Sequence, residues 1–493
     1  MKKDGGKNTL FGGTKALVMG LGLHGGGVAT TKWLVRHGAR VTATDKRTKD
    51  VLGPSLRALR TTPVQFVLGE HRERDFRVND LIVVNPAVPR ESAYLKIATQ
   101  SGKRIENDAS LFFRYTTNPV IAVTGTRGKT TTTLWVATLL QKKYPNVRPS
   151  GNTPDNAFLK EFERVHKDSV PVVAEMSSWQ LEYLPSGGRA PHVAVITNLY
   201  PDHLNRYEGI KDYANAKANI FTQQKPDDFL VLNYDNAWTP YFLKKKPNAL
   251  LFFTSTKPLE KGLHGLFVRR GMLVFRFDGM EQKLFSIKKF VALRGAHNLE
   301  NLMHAVLAVK LFDSAISVTE RDALRLPTPK MRQEEVYKKG SIRVINDSCA
   351  TSPDGVVAAI LRFAKQESVG ASALGGSQNL ILIAGGTDKE LEFTDLASVI
   401  KKHIPSDHLI LLEGSATTKL LTSLHGQKLS RRGLDKKALK NLYSCVSEAF
   451  RVAKSLKGKT TILFSPGAAS FEKFLHEFDR GEQFNKLVKK YTK

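Results

Sequence analysis

The chain has 493 residues, and at roughly 150 residues per domain this length predicts about three domains. Hydrophobic residues make up 41% of the sequence and charged residues 25%, which excludes wholesale disorder and collagen-like repeats. The 75 lysines and arginines exceed the 46 aspartates and glutamates by 29. Such an excess favours polyanions and small acidic substrates as partners, although net charge bears on association rather than on fold.

The two cysteines, Cys349 and Cys445, are too few for a disulfide framework or a zinc site and fit a reducing compartment. No run of 18 apolar residues is present, and the first residues lead into no signal-peptide core. The positive charge is spread over short clusters rather than one basic arm. We therefore expect a soluble cytoplasmic protein with no membrane insertion and no obligate nucleic-acid partner.

Short β-branched runs that alternate with helical patterns predict a parallel α/β architecture. Breaks near 115–118 and in the proline-containing segment 324–329 predict three domains, 1–116, 117–326 and 327–493. The Gly/Ser/Ala-rich segment 367–378 is typical of a flexible loop. The predicted strands are 15–19, 40–44, 81–84, 119–123, 171–174, 192–197, 229–232, 342–345, 380–384, 408–412 and 460–464.

The first predicted strand ends in a glycine-rich turn, Gly20-Leu21-Gly22-Leu23-His24-Gly25, before a helical run over 28–37. Asp45 closes the next strand, 20 residues after Gly25. Glycines let the backbone approach a pyrophosphate at a helix N-terminus, and the acid takes ribose hydroxyls. The pattern suggests an NAD-dependent oxidoreductase, but UDP also satisfies it, and a tight turn without a ligand stays open.

A second phosphate-binding pattern follows the strand predicted at 119–123, where the segment 124–131 reads Thr-Gly-Thr-Arg-Gly-Lys-Thr-Thr. Backbone N–H groups and the helix dipole can hold phosphates there, with Lys129 on the outer phosphates and Thr130 on Mg²⁺. Val123 occupies the first glycine position of the full pattern, so a chance loop is the alternative.

Polar residues follow the next two predicted strands. Glu175 ends one of them, and a carboxylate at this position can hold Mg²⁺ opposite the phosphate loop. Asp202 and His203 follow the other, so both are expected at the same edge of the sheet. A histidine of this kind is often structural, and both interpretations of His203 stay open.

These motifs, taken together, resemble those of the Mur ligases of peptidoglycan synthesis. The glycine pattern and the Ser-Ser-x-Gln-Leu-Glu string at 177–182 are similar specifically to members that act on UDP-N-acetylmuramoyl-L-alanine and D-glutamate. The resemblance covers nearly the whole chain, in order. It implies a Rossmann-like N-terminal domain for the UDP-substrate, a central P-loop-type ATPase domain with a mainly parallel sheet, and a Rossmann-like C-terminal domain for the amino acid. The matching segments are 125–131, 175–182, 198–207, 295–301, 346–348 and 465–470.

The reaction implied by the resemblance is ATP-dependent amide-bond formation by a monomeric enzyme. The substrate carboxylate attacks the γ-phosphate, the acyl phosphate forms with release of ADP, and the amine of glutamate then displaces phosphate. A free carboxylate cannot be acylated at neutral pH, because oxide is a very poor leaving group. Two anions must meet in the first step, so cations should carry much of the catalysis, with two Mg²⁺ ions expected.

The resemblance also assigns catalytic roles. Lys129 and Thr130 serve the γ-phosphate and one Mg²⁺, and Glu175 and His203 are metal ligands. Lys217 matches the family lysine that CO₂ carbamylates and that helps to bind the second metal. Carbamylation needs a neutral amine, so we expect the pKa of Lys217 to be depressed by burial near cations. By composition alone, Lys217 is one surface lysine among many.

The remaining assignments follow motif position, and for Thr351 and Ser470 a structural role in loops is the alternative. For ATP, the matching residues are Gly125, Thr126, Arg127, Gly128, Lys129, Thr130, Thr131, Asn298, Asn301, Arg332 and Asp347. For the UDP-substrate they are Leu23, His24, Asp45, Lys46 and Asn152. For the incoming amino acid they are Thr351, Lys389, Ser470 and Phe478.

Four departures from the family pattern leave the phosphate loop, Glu175, His203 and Lys217 untouched. Cys349 stands where the family often has lysine, Met331 where histidine is usual, and Pro154 where glycine is usual. Phe478 lies one residue closer to Arg480 than in the commoner spacing.

Three other functions stay open at this point: a sibling ligase with another acceptor such as L-glutamate, an NAD-dependent oxidoreductase, and a basic nucleic-acid-binding ATPase. The ligase predicts ATP turnover only with both small substrates, whereas the nucleic-acid-binding ATPase predicts stimulation by DNA or RNA. Tight NADH binding without competition from UDP would favour the oxidoreductase.

Overall fold

The computed structural model describes residues 3–4, 7–8, 10–23, 25–151, 156–168, 170–184, 188–203, 206–364, 379–426 and 438–492. Its contacts divide into two compact units, 1–290 with 298–326 and 291–297 with 327–493. Three larger sheets, mainly parallel and connected by helices, confirm the predicted α/β class. No helix in these described ranges is both long and apolar enough to cross a membrane.

The first large sheet has five parallel strands in the order β5-β4-β3-β6-β7, and a short antiparallel pair, β1 and β2, precedes it. Its central strands are short apolar runs, as expected for a sheet covered on both faces. The elements are β1 Lys3–Asp4, β2 Lys7–Asn8, β3 Lys15–Met19, α1 Gly26–Arg36, β4 Arg40–Asp45, α2 Gly53–Ala58, β5 Val64–Leu68, α3 Glu73–Val78, β6 Leu81–Val84, α4 Ala93–Gln100, β7 Arg104–Glu106 and α5 Asp108–Tyr115.

The second sheet has nine strands in the order β16-β15-β14-β13-β12-β11-β8-β10-β9, parallel from β9 to β14 and antiparallel beyond. The elements are β8 Val120–Thr124, α6 Lys129–Leu140, β9 Pro149–Gly151, α7 Phe158–Asp168, β10 Val172–Glu175, α8 Ser178–Leu181, β11 Val193–Ile196, α9 Ile210–Ala218, β12 Phe229–Asn233, α10 Thr239–Leu243, β13 Leu250–Ser255, β14 Gly265–Arg269, β15 Met272–Phe277, β16 Met280–Ser286, α11 Lys288–Arg294, α12 His297–Phe312 and α13 Glu320–Arg325.

The third sheet has five strands in the order β17-β18-β21-β19-β20, with β17 antiparallel to its neighbour and the others parallel. Apolar clusters cover both of its faces. The elements are β17 Glu334–Lys339, β18 Ile342–Asn346, α14 Pro353–Ala364, β19 Asn379–Ala384, α15 Thr394–His403, β20 Leu409–Leu411, α16 Ser415–Gly426, α17 Leu442–Ser455, β21 Thr460–Phe464 and α18 Glu477–Thr492.

All eleven predicted strands are present, each within two residues of its predicted bounds. Some of the strands that the sequence did not reveal are short or exposed at a sheet edge, whereas β13, β14 and β15 are interior strands of five or six residues. β9 has only three residues, and the first four residues of the edge strand β16 are exposed. The predicted loop 367–378 lies outside the described residues. The domain boundaries at 116–117 and 326–327 stay predictions.

Candidate active site

The segment 125–128 joins β8 to α6 and has the backbone geometry of a phosphate-binding loop. Gly125 and Gly128 have φ angles of +150° and +80°, a region that favours glycine. A Cβ atom at Gly125 would lie 2.0 Å from Thr197 Oγ1, and one at Gly128 would lie 2.1 Å from Asn301 Oδ1. Gly128 is the N-cap of α6 and brings no side chain to the helix end. Its first N–H groups therefore suit an anion.

The loop is held in place by the residues that follow the neighbouring strand β11. Thr126 N–H donates to the Asn198 carbonyl at 3.0 Å, and Arg127 N–H donates to Asn198 Oδ1 at 2.9 Å. The Thr197 hydroxyl donates to the Arg127 carbonyl at 2.6 Å. The sequence analysis assigned no role to Thr197 or Asn198, although their position at the end of the predicted strand 192–197 is a signal that points to this role.

Two lysine ammonium groups meet at the start of this loop. Lys129 Nζ donates to the carbonyl oxygens of Gly125 and Thr126, both at 3.0 Å, and Lys217 Nζ donates to the Gly125 carbonyl at 2.8 Å. Lys129 begins α6, whereas Lys217 comes from α9, 88 positions further along the chain. The fold therefore brings together two cations that the sequence analysis placed in one site.

Lys217 is buried rather than on the surface, with 1% of its area exposed. Burial and the nearby charge of Lys129 hold its pKa well below that of an ordinary lysine, while Asp202 opposes the shift. Its ammonium also lies 4.5 Å from the centre of the Tyr213 ring, one turn earlier on α9. The expected depression of the Lys217 pKa is confirmed, and the interpretation as a surface lysine is wrong.

Glu175 and His203 lie at the same sheet edge as the loop. Glu175 is buried at the end of β10, which pairs with β8 so that Glu175 stands beside Val123. His203, half-buried, follows β11 on the other side of β8. Its φ angle is +55°, and its ring packs edge-on against Trp179 and Tyr213 at 5.2 and 6.0 Å. Such backbone strain in a non-glycine residue is typical of functional sites.

The donors at this edge fit Mg²⁺. The described residues hold no group of three or more histidine, cysteine, aspartate or glutamate side chains that would bind a metal by themselves. Mg²⁺ commonly takes only one or two carboxylates and completes its coordination with phosphates and water. Glu175, the hydroxyl of Thr130 on the first turn of α6, and a phosphate on the loop meet that description. Thr131, the next residue, is buried.

The two asparagines expected near adenine lie on the first turns of α12, beside the phosphate loop. Asn301 is buried; its Nδ2 donates to Asn298 Oδ1 at 3.1 Å, and its Oδ1 accepts from the Thr132 hydroxyl at 3.4 Å. Asn301 therefore supports Gly128 and α6, a structural role that the sequence analysis did not assign. The adenine contacts stay predictions.

In the glycine turn expected to bind UDP, a backbone N–H group donates to a buried carboxylate. Asp45 Oδ2 accepts from Gly22 N–H at 2.9 Å, and Oδ1 accepts from Arg47 N–H at 2.9 Å. Lys46 is exposed and Leu23 half-buried, whereas His24 and Asn152, like Pro154, lie outside the described residues. His71, which the sequence analysis missed, pairs with the Thr44 hydroxyl at 2.8 Å, and burial and Lys46 lower its pKa.

In the second compact unit, the loops after β18, β19 and β21 meet at one sheet edge. Gly467 N–H donates to the Ala350 carbonyl at 2.9 Å, and Gly385 N–H donates to Pro466 at 2.8 Å. Lys389 Nζ lies 3.5 Å from the Thr351 hydroxyl. Ser470 is 3% exposed, and its hydroxyl has no hydrogen-bond partner in the described parts of the chain. A buried unpaired hydroxyl and an exposed lysine on two neighbouring loops suit a small ligand that carries a carboxylate.

Arg480 holds these loops together and was not assigned a role from the sequence. Its guanidinium is fully buried and donates to the carbonyls of Ser348, Ala468 and Ala469 at 2.8, 3.1 and 3.0 Å. Burial lowers its pKa to about 10. Phe478, two residues earlier, is half-buried, and its ring centre lies 5.9 Å from that of His476.

Asp347 and Arg332, both expected on the nucleotide, also lie in this unit. Asp347 accepts from the Ser465 hydroxyl at 2.7 Å and from Gln333 N–H at 3.0 Å, and burial raises its pKa to about 7. The exposed Arg332 opposes that shift and is flanked by Met331 and Gln333, whose φ angles are +57° and +53°. The Cys349 thiol is buried, which raises its pKa to about 12.

Comparison with known protein families gives two matches. Residues 14–106 match the Mur ligase MurD-like N-terminal domain, and residues 123–309 match the Mur ligase middle domain.

Two relatives matched over nearly their full length carry the same name. UDP-N-acetylmuramoylalanine–D-glutamate ligase of Roseiflexus sp. (strain RS-1) is 36% identical over 97% of this chain and 99% of the relative. The protein of the same name from Borreliella afzelii (strain PKo) is 34% identical over 99% of each chain.

Solved structures share the fold at low sequence identity. MurF ligase from Thermotoga maritima, in complex with ADP, is 15% identical with a TM-score of 0.52, over 98% of this chain and 97% of that chain. A MurF structure from Acinetobacter baumannii is 14% identical with a TM-score of 0.53, over 98% of this chain and 92% of that chain.

Proposed function

The chain belongs to the Mur ligase family, and on that premise we propose that it joins D-glutamate to UDP-N-acetylmuramoyl-L-alanine at the expense of ATP. The substrate carboxylate attacks the γ-phosphate to give an acyl phosphate and ADP. The amine of glutamate then attacks the activated carbonyl and phosphate leaves. The full-length relatives favour this ligase over the oxidoreductase and the nucleic-acid-binding ATPase.

The observation that carries the proposal is the meeting of Lys129 and Lys217 at the Gly125 carbonyl, with Glu175 on the adjacent strand end. The first step brings a carboxylate toward a polyphosphate, so positive charge at the point of contact lowers its barrier. We propose that Lys129 binds the β- and γ-phosphates. Its ammonium group would first have to leave the carbonyl oxygens of Gly125 and Thr126. The N–H groups of 128–131, at the start of α6, would complete the phosphate cradle.

We assign Thr130, Glu175 and His203 as metal ligands, with Lys217 contributing after modification. Bound Mg²⁺ would neutralise phosphate charge during the transfer. The neutral amine of Lys217 can attack CO₂ and lose a proton to form a carbamate, which would add two oxygen ligands to the site. The low pKa and burial of Lys217 support this modification, because an ordinary lysine is protonated at neutral pH.

The assignments for the two substrates concern the glycine turn of the first sheet and the loops at the edge of the third sheet. We propose that Leu23, His24, Asp45, Lys46 and Asn152 hold the UDP-sugar, and that Thr351, Lys389, Ser470 and Phe478 hold glutamate. Asn298, Asn301, Arg332 and Asp347 are assigned to the nucleotide. We further propose that the protein has three domains and acts as a monomer in the cytoplasm, where ATP is available. A role in cell-wall synthesis implies a link to cell shape and division.

The experiment is phosphate release with UDP-N-acetylmuramoyl-L-alanine, ATP and Mg²⁺, comparing D-glutamate, L-glutamate, meso-diaminopimelate and lysine, with product mass confirmed. We expect release only with D-glutamate. Release with another of these acceptors would identify a sibling ligase, and ATP hydrolysis that requires DNA or RNA would contradict the proposal.

A further inference from the structure

A cavity of about 560 Å³ lies within the first compact unit, between the edge of its five-stranded sheet and helix α9. Leu95 and Thr99 of α4 and Ile105 of β7 line one side, and residues of α9 line the other. Its volume is within the range of small-molecule sites, about 300–1,000 Å³. None of the residues assigned above to ATP, metal, UDP-substrate or glutamate lines it.

Helix α9 presents one face to this cavity and another to the phosphate loop. Asp212, Asn215, Ala216 and Asn219, at or just beyond the helix, line the cavity and follow the i, i+3, i+4, i+7 spacing of a single helix face. Lys217 points the other way, with Nζ on the Gly125 carbonyl. A molecule that fills the cavity therefore presses on the helix that positions Lys217.

The segment that carries Glu175 also reaches the cavity. Glu182 and Tyr183, directly after α8, line it, and α8 begins three residues after Glu175. Asn219 Nδ2 donates to the Leu181 carbonyl at 3.0 Å, which ties the end of α8 to α9. Helix α9, which carries Lys217, and the segment that follows Glu175 thus share this wall.

Most of the charge that faces the cavity is already paired. Glu182 forms an ion pair with Arg206 at 2.6 Å, and Arg90 forms one with Asp212. Lys96, exposed on α4, also lines the cavity, and it is a cation for which the structure gives no carboxylate within ion-pair distance among the described residues. A ligand with a single negative charge could therefore form an ion pair with Lys96.

The rest of the lining suits a flat apolar group. Leu95, Ile105 and Ala216 supply aliphatic surface, and the half-buried ring of Tyr183 lies among them, its pKa raised to about 12 by burial. The amides of Gln100 and Asn215 stand at the exposed side. Aromatic carboxylates combine such a body with one negative charge.

We propose that this cavity is an effector site for a small aromatic carboxylate, and that occupation lowers turnover by moving α9 and Lys217 away from Gly125. The activity readout rests on the function proposed above. Hydrogen exchange in α9 does not, so the two proposals can fail separately.

The test uses cysteine labelling of the full chain, since the native cysteines are buried, with 7% of Cys349 and none of Cys445 exposed. Thr99→Cys places an exposed thiol on the cavity wall, and Ala93→Cys places one on the same helix outside the lining. Each variant is treated with a methanethiosulfonate that carries a benzoate group, or with methyl methanethiosulfonate, and full modification is confirmed by mass.

We expect the benzoate adduct at position 99 to lower turnover about 5-fold or more, the lower range of typical coupling between sites. It should also change hydrogen exchange in 210–218. The methyl adduct and both Ala93→Cys adducts should leave turnover and exchange unchanged. Full modification of Thr99→Cys by the benzoate reagent with unchanged exchange would overturn the coupling, whether or not the unmodified chain is a ligase.

Free phenylacetate tests the ligand class. It should slow labelling of Thr99→Cys but not of Ala93→Cys, and Lys96→Gln should weaken that protection. Equal labelling rates with and without millimolar phenylacetate would overturn the assignment of an aromatic carboxylate. Protection that Lys96→Gln leaves unchanged would overturn the role given to Lys96.

Discussion

Lys129 and Lys217 donate hydrogen bonds to the same oxygen, the Gly125 carbonyl, at 3.0 and 2.8 Å. Two ammonium groups that share one buried acceptor repel each other, which disfavours the second charge. Lys217 is the more buried of the two, so its neutral form is stabilised. The geometry therefore links Lys129, which we propose binds phosphate, to a lysine whose neutral amine is favoured.

We predict that Lys217→Ala abolishes turnover, with a loss of about 10³-fold or more, within the range for catalytic groups acting on a transition state. Adding acetate should restore part of the activity by supplying the oxygen atoms of the missing carbamate. Phosphate release with both substrates is the measurement.

Lys211→Ala is the matched control, because Lys211 is exposed on the same helix. It should retain full turnover. Full activity in Lys217→Ala, or a loss of equal size in Lys211→Ala, would contradict the catalytic role.

A second prediction concerns Gly128→Ala. The added Cβ atom would lie 2.1 Å from Asn301 Oδ1 at a φ of +80°, so the loop must move. We expect weaker binding of a fluorescent ATP analogue, by roughly 10-fold, because strain of about 1–3 kcal/mol is relieved only by leaving the loop conformation. Equilibrium titration measures the change.

Gly13→Ala separates the clash from the backbone strain. Gly13 has nearly the same φ, +79°, but a Cβ atom there meets nothing within 4 Å among the described residues. This variant should lose some stability and keep the parental affinity for the analogue. An equal loss of affinity in both variants would contradict the prediction.

A third prediction concerns Ser470→Ala in the second compact unit. Its buried hydroxyl has no partner among the described residues, so it is expected to donate a hydrogen bond to a bound carboxylate. A hydrogen bond to a charged group contributes about 1.5–3 kcal/mol, so the KM for D-glutamate should rise roughly 10-fold or more. The value of kcat should change much less.

Ser406→Ala removes an exposed hydroxyl from the same unit and should leave both parameters unchanged. Steady-state kinetics at saturating ATP separates the two constants. An unchanged KM in Ser470→Ala would show that the hydroxyl serves the loop rather than the substrate.

Local patterns predicted much of this fold. Strands such as 81–84 are short apolar runs that end at turn residues, so their bounds can be read without tertiary context. The bounds of the edge strand β16 could not be predicted in this way, because its exposed residues show no alternation of buried and exposed positions.

The candidate site likewise contains some residues that a local pattern predicts and others that it does not. The phosphate loop is a continuous motif, so Lys129 was found from its neighbours. The roles of Asn198 and Arg480 depend on contacts with segments 71 and 132 positions away. No local pattern encodes such contacts. Lys217 was assigned only because it matches the position of a lysine in a family motif.

The last prediction is that His304 makes stability depend on pH. His304 is fully buried on α12 with Nε2 3.0 Å from the Thr254 hydroxyl, and burial lowers its pKa to about 4. The unfolded chain binds a proton near pH 6.5, which the folded chain does not accept until about pH 4. Stability should therefore fall as the pH drops from 6.5 to 4.

His304→Gln cannot be protonated and should lose this part of the pH dependence. Between pH 7.5 and pH 5, the free energy of unfolding in urea should fall about 2 kcal/mol more in the parent than in His304→Gln. His425→Gln, an exposed histidine on α16, should behave as the parent does. Parallel pH profiles for the parent and His304→Gln would mean that His304 takes up its proton in the folded state at an ordinary pKa.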